Sequence, residues 1–207
     1  MPKGSQELAD ARREEIVSAC EALYRTMSFK DITIKRIGEV TSFTRTSIYN
    51  YFHTKEEIFL ALFQREYALW ADALSALLQN GRMTADEFAA ALAHSLEERP
   101  VMLKLLSVNL YDMEAESRVE RLTQFKREYG RSMDAMRACL RKFFPALGEA
   151  GEEGFLYAFY PFLIGVYPYT ELTEKQAAAM EAAGVKVVLP SVYQIVYSAA
   201  RKLLGQA

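Results

Sequence analysis

Apolar residues recur along this chain at helical spacing almost from end to end. Ile16, Cys20, Leu23, Tyr24 and Met27 follow at three- and four-residue steps and form one stripe on a helix. Helix starts are marked by hydroxyl residues with an acid or amide three positions later. Thr54 pairs in this way with Glu57, Thr84 with Glu87, Ser117 with Glu120 and Thr173 with Gln176. In that arrangement the two side chains satisfy amides that the first turn leaves without partners. Pro100 suits a first helical position, where its missing N–H costs nothing, and Gly184 suits the position just past a helix end. These signals predict helices near 10–28, 33–40, 44–51, 55–79, 84–98, 100–111, 117–144, 152–167, 173–183 and 188–204. Val185–Pro190, "VKVVLP", reads by composition as a short strand but has no partner, and no internal repeat is present. The predicted fold class is all-α.

Composition narrows the function. A chain of 207 residues, 51% of them hydrophobic, can bury a substantial core, and its net charge of −2 excludes a uniformly basic nucleic-acid binder. Cys20 and Cys139 read as small buried apolar residues in a reducing cytoplasm, not as a disulfide or metal pair. The N-terminal "MPKGSQELADARREE" lacks an apolar stretch, so a cytoplasmic location is expected over secretion. Gly154–Thr170 is uncharged, but it is short for a bilayer and carries Pro161 and Pro168; a buried core helix is the better reading. The only histidines are His53 and His94, and neither has metal-site spacing. No nucleophile elbow or glycine-rich phosphate loop occurs. Glu56–Glu57, Glu97–Glu98 and Glu152–Glu153 read as helix starts or solvated faces. No enzymatic activity, cofactor or metal is expected.

Thr33 to Phe52 is the segment with chemistry to offer. Ile34, Ile37 and Val40 share one face of a first short helix, with Lys35, Arg36 and Glu39 on the other. On a second, Phe43, Ile48 and Phe52 turn inward, which exposes Thr44, Arg45, Thr46, Tyr49 and Asn50. A narrow polar rod, packed on two helices, suits the DNA major groove: donors reach base edges while flanking groups hold phosphates. From Thr33 to Lys55 the local charge is +3, within an acidic protein. The alternative from pattern alone is a solvated helical hairpin.

The run "ITIKRIGEVTSFTRTSIYNYFHTKEEIFLALF" (Ile32–Phe63) resembles the helix-turn-helix of TetR-type transcriptional regulators. The matching elements are "IYNYF" followed by "TKEEIF", the Thr33 start of the first short helix and the amphipathic helix ahead of them. This motif covers about the first quarter of the chain; the remainder matches in length and helical character. The sequence departs from the family at two positions. Ser42 stands in the turn where glycine is usual, and positive φ would strain it. Thr46 stands where glycine or alanine is common.

By position, the resemblance makes Thr33, Tyr49 and Lys55 phosphate contacts, with Lys55 at a helix start whose amides also attract phosphate. Thr44, Arg45 and Thr46 become the base-edge candidates. Tyr51 and His53 either touch the DNA backbone or pack inward, and Lys35 and Arg36 are secondary phosphate candidates or simply solvated. The implied organisation is a three-helix DNA-binding domain, 1–54, and a helical ligand-binding and dimerisation domain, 55–207. The implied homodimer forms through the helices near 152–167 and 188–204, as two-fold operator binding requires.

Trp70, Tyr111, Phe125, Tyr129, Phe155 and Phe159, with Tyr157 and Tyr160, either line an effector cavity or form plain core. Pro161, Gly165 and Pro168 are expected to interrupt the helix after Phe155. Asp112, Glu114 and Glu116 in "YDMEAES" are expected in a loop, either solvated or attracting a cation. The expected function is a repressor released from a palindromic operator by a small apolar or aromatic molecule, with the long helix near 55–79 as lever. The alternative is a helical small-molecule-binding or carrier protein without specific DNA binding.

Overall fold

Along residues 3–108 and 110–205, which the computed structural model describes, the backbone is helical and contains no strand. Met1, Pro2, Gln206 and Ala207, at the ends of the two expected domains, and Asn109, inside the helix expected near 100–111, lie outside the described residues. The helices are α1 (Lys3–Thr26), α2 (Ile34–Glu39), α3 (Arg45–Ile48), α4 (Lys55–Leu77), α5 (Ala85–Glu97), α6 (Pro100–Leu106), α7 (Leu110–Ala115), α8 (Val119–Phe143), α9 (Gly148–Val166), α10 (Glu174–Ala182) and α11 (Val192–Leu203).

Local signals account for most of the boundaries. Full capping boxes start α5 at Thr84 and α10 at Thr173, and a third starts α11 at Ser191 with Gln194. Pro100 occupies the first turn of α6. Gly184 takes φ +68° just past α10, with its own amide on the Glu181 carbonyl and the Val185 amide on that of Met180. Two hydrogen bonds around a left-handed glycine close the helix end.

Four expectations differ. The helix expected near 100–111 is two, so most of the acidic stretch from Tyr111 lies in α7 and not in a loop. Ser117 is not a cap: its hydroxyl donates to the Met113 carbonyl, 2.7 Å away, and α8 starts after it. Pro161 does not interrupt α9. It points to solvent, and the turns around it are held by buried Phe159, Tyr160 and Leu163, so one missing N–H is tolerated. Pro168 instead sits in a one-turn 3-10 helix, Tyr167–Tyr169, that closes α9. In keeping with its lack of a partner in the sequence, Val185–Pro190 forms no strand.

The chain divides into two compact units. One comprises Met1–Tyr67 and Val108–Tyr129, the other Ala68–Ser107 and Gly130–Ala207, so α4 and α8 each contribute residues to both. This grouping places Lys55–Tyr67 and Val108–Tyr129 with the N-terminal helices, unlike the 1–54/55–207 division. In the first unit, Ile16, Cys20 and Tyr24 of α1 are buried together with Ile32, Ile37, Ile48, Phe52 and Phe59. Tyr24 meets Phe59 edge-on at 5.1 Å, and Phe63 lies 5.0 Å from Phe125. The second unit buries Trp70, Leu74, Phe88, Leu92, Met102, Met136, Phe155, Phe159 and Val196. Both cysteines are free and buried; burial raises the Cys20 thiol far above its ordinary range and the Cys139 thiol to about 11. No helix among the described residues is long and apolar enough to cross a membrane.

Candidate nucleic-acid interface

Two hydroxyl caps and one glycine set the geometry of α2 and α3. Thr33 caps α2 by accepting the Arg36 amide at 3.2 Å, and Thr44 caps α3 by accepting the Ser47 amide at 3.2 Å. Gly38 lies where the helices approach. A Cβ there would stand 3.4 Å from both the Arg45 nitrogen and the Phe43 carbonyl oxygen. That space holds one methyl group and little more. Gly38→Ala is therefore expected to change stability by no more than about 1 kcal/mol, whereas Gly38→Leu should cost about 1–3 kcal/mol by forcing the helices apart. Urea unfolding of both variants checks this.

Ser42 resolves without strain. Among the described residues no amino acid other than glycine has positive φ. The Ser42 amide donates to the Glu15 carboxylate of α1 at 2.8 Å, and that bond holds the Glu15 carboxyl below its usual value. Thr41 supplies the rest of the turn: its hydroxyl donates to the Gly38 carbonyl and accepts the Phe43 amide, both at 3.3 Å. Side chains satisfy this turn, so glycine is not required.

The helix expected over 44–51 is regular only from Arg45 to Ile48; Tyr49–Tyr51 continue it as a turn, with the Tyr51 and Phe52 amides on the Ile48 carbonyl. Ile48 and Phe52 are buried, while Phe43 is only half-buried against Tyr51. Val40, expected inward, is 54% exposed, because α2 ends before its side chain can reach the core.

Thr44, Arg45, Thr46, Tyr49 and Asn50 are all exposed. The Arg45 guanidinium lies 5.8 Å from the Tyr49 ring centre and donates to its hydroxyl at 3.3 Å. The Thr44 oxygen is occupied by its cap and lies 2.9 Å from the Ser47 hydroxyl. Lys35 and Arg36 project outward; Lys35 stands 3.8 Å from Glu39. Tyr51 is half-buried. Its hydroxyl accepts from Arg12 and its carbonyl from Arg121, each at 3.1 Å. His53 is exposed, and its amide donates to the Glu57 carboxylate. The Lys55 ammonium donates to the Phe29 carbonyl at 3.1 Å and lies 4.3 Å from that ring, which leaves it further N–H groups.

By spacing, Glu57 reads only as the capping partner of Thr54. Its amide does donate to the Thr54 hydroxyl at 3.2 Å, but its carboxylate faces inward and is fully buried. It accepts from Arg118 Nε at 2.6 Å, Arg118 Nη2 at 2.8 Å, the Arg118 amide at 3.1 Å and the His53 amide at 2.8 Å. Burial by itself would raise its pKa; these donors and the Arg118 charge override that and hold it at about 2. Thr54 also donates to the Glu116 carbonyl at 3.0 Å. The turn after α3 is thus tied to the α7–α8 connection within one compact unit, through residues 61 and 62 positions apart. The capping spacing conceals this role, and no sequence signal singled out Arg118.

The aromatic candidates separate. Trp70, Phe155 and Phe159 lie in the core of the second unit, where Trp70 Nε1 donates to Ser95 at 3.2 Å and Trp70 lies 5.5 Å from Tyr160. Phe125 is buried in the first unit, Tyr129 is half-buried, and Tyr111 and Tyr157 are 84% and 69% exposed. Among the described residues no cluster of acids, histidines and cysteines is arranged to hold a metal; Glu114 instead pairs with Lys126 at 2.6 Å.

The family model described as "Tetracyclin repressor-like, C-terminal domain" matches residues 64–195. A search of curated proteins finds no significant match. Among solved structures, a TetR-family transcriptional regulator from Mesorhizobium loti superposes with a TM-score of 0.61 at 14% identity, over 95% of this chain and 96% of that one. The fatty acid degradation regulator FadR from Bacillus halodurans gives 0.58 at 15% identity, over 94% and 98%. AmtR from Mycobacterium smegmatis gives 0.51 at 20%, over 93% and 86%. These likenesses establish a shared fold, and the family match begins where the helix-turn-helix motif of Ile32–Phe63 ends. The chain belongs to the tetracycline-repressor-like (TetR) family, whose members are DNA-binding transcriptional regulators and not enzymes.

Proposed function

We propose that this protein is a repressor that binds a palindromic operator as a two-fold dimer and leaves it when a small apolar or aromatic molecule binds. The exposed face of α3 carries the reading. It presents Arg45, Thr46, Tyr49 and Asn50 from a turn seated on buried Ile48 and Phe52. Arg45 and Thr46 read base edges, with Arg45 bidentate to guanine. Thr44 is chiefly the cap that aims them. Thr33, Tyr49 and Lys55 hold phosphates, with Lys35, Arg36, Asn50 and Tyr51 at the margin of the contact. Residues 1–54 carry DNA binding and 55–207 carry effector binding and dimerisation. The outward faces of α9 and α11 meet their copies; Tyr157 and Ile164 of α9, 69% and 52% exposed, suit such contact.

Effector binding selects the conformation whose recognition helices do not fit successive major grooves, and α4 is the lever because its residues belong to both compact units. Apolar or aromatic effectors suit the aromatic content of the second unit around Trp70, Phe155 and Phe159. The test is selection of bound fragments from the source genome with the purified protein. A short palindrome with half-sites about one helical turn apart is expected; recovery of no such site would reject specific operator binding and favour the carrier reading. Adding apolar and aromatic compounds to the recovered complex then decides between release and retention.

A further inference from the structure

Between α9 and α11 the chain makes an excursion that its own fold does not cover. From residue 171 to 190 no side chain is buried, and α10, nine residues long, contributes none to the core. A helix of that length is marginal in water without a packed face. Even so, the excursion is locally specified: Thr173 starts α10 with a full capping box and left-handed Gly184 closes it. The extended residues beyond fold back beside α10, and together they bound a groove of about 550 Å³ whose lining includes Tyr169, Leu172, Met180, Val187, Val188 and Leu189. Around it, Tyr169 is 71% exposed, Val188 84% and Leu189 48%. Contiguous apolar surface of this kind marks an interaction site.

We propose that this excursion is a dimerisation arm, whose groove is occupied by the same arm of a second copy of the chain. The inference rests on the two-fold dimer proposed above. The arm joins the two helices assigned to that interface, so it lies at the end of whatever bundle they form with their copies. Tyr157 and Ile164 are exposed on α9, and the 3-10 turn that follows it, Tyr167–Tyr169, supplies Pro168 and Tyr169 to the groove, so the groove begins where that helix ends. Between Glu171 and Leu189 stand three acids and two bases, so two copies face each other almost without net charge. Val188 lines the groove and is 84% exposed, so the same apolar residues face each other across a two-fold axis, as an isologous contact requires.

The experiment uses Val188→Asp and Val188→Cys in the full-length protein. Sedimentation equilibrium should show the dimer dissociation constant of Val188→Asp raised about tenfold or more, with helicity and urea unfolding of the protomer unchanged. Both native thiols are buried, so thiol labelling of Val188→Cys reports the arm. It should run about tenfold slower above the dissociation constant than below it. If wild type is dimeric while Val188→Asp dimerises equally well and the Val188→Cys thiol labels at one rate throughout, the arm fails and the α9–α11 dimer stands. A wild type that stays monomeric overturns both. Stoichiometric binding of 1-anilinonaphthalene-8-sulfonate to the wild-type dimer, abolished by Val188→Asp, shows the groove open to small ligands and also overturns the arm.

Discussion

Glu57→Ala is expected to destabilise the protein by about 3–5 kcal/mol, the range for breaking a buried ion pair from one side. The substitution removes one acceptor and orphans four donors: two on the Arg118 guanidinium and the amides of His53 and Arg118. The Arg118 side chain is 39% exposed and recovers some hydration, which favours the lower end. Arg118→Ala is the harsher variant, because it leaves a carboxylate with 1% exposure facing the interior without its charge partner. The exposed Lys35–Glu39 pair provides the contrast, since Lys35→Ala should change stability by under about 0.5 kcal/mol. Chemical denaturation of the three variants checks the order.

The same carboxylate gives a pH dependence with a definite sign. Its folded pKa, about 2, lies below the ordinary value of 4.5. The folded state therefore binds this proton less readily than the unfolded chain. The stabilisation is complete above pH 4.5 and is lost as pH falls toward 2. It amounts to about 3 kcal/mol for such a shift, and Glu57→Gln should flatten the acid limb of the stability profile.

The double variant Arg45→Ala, Tyr49→Ala should lose operator affinity by about 2–6 kcal/mol, from about 1–3 kcal/mol at each of two half-sites. Neither side chain supports the fold: both are exposed, and each contacts the other at 3.3 Å. Helicity and dimerisation should therefore survive. Fluorescence anisotropy at fixed salt on the selected operator measures the loss, and the residual binding should be non-specific with a steep salt slope. Unchanged operator affinity would remove α3 as the reading element. The contact between the two side chains also predicts non-additivity, since Tyr49→Ala frees the Arg45 guanidinium from its present position over the ring.

Elements written in short-range chemistry were legible from the sequence. The caps at Thr84 and Thr173, Pro100 in the first turn of α6 and left-handed Gly184 involve neighbours within a few positions. Burial of Ile37, Ile48 and Phe52 follows from helical periodicity in the same way. Pro161 misled because local preference opposes it in a helix, whereas buried neighbours on the following turns decide the outcome. The aromatic candidates were ambiguous for a related reason. Core and cavity wall demand the same side chains at the same spacing, and only burial showed Trp70 and Phe159 enclosed while Tyr111 and Tyr157 face water.

The sequence by itself determined an all-α chain, the helix-turn-helix with its exposed Arg45–Asn50 face, and the family that this motif resembles. Each depends on residues close enough in the chain to share a turn or a face. Tertiary structure alone decided the rest. Ser42 needs no left-handed backbone because Glu15, 27 positions earlier, accepts its amide. Gly38 lets α2 approach the turn into α3, and Glu57 is a buried anchor for Arg118, 61 positions later. A turn can be satisfied, or a charge buried, by any suitable group that folding brings near, and spacing along the chain does not record which one arrives.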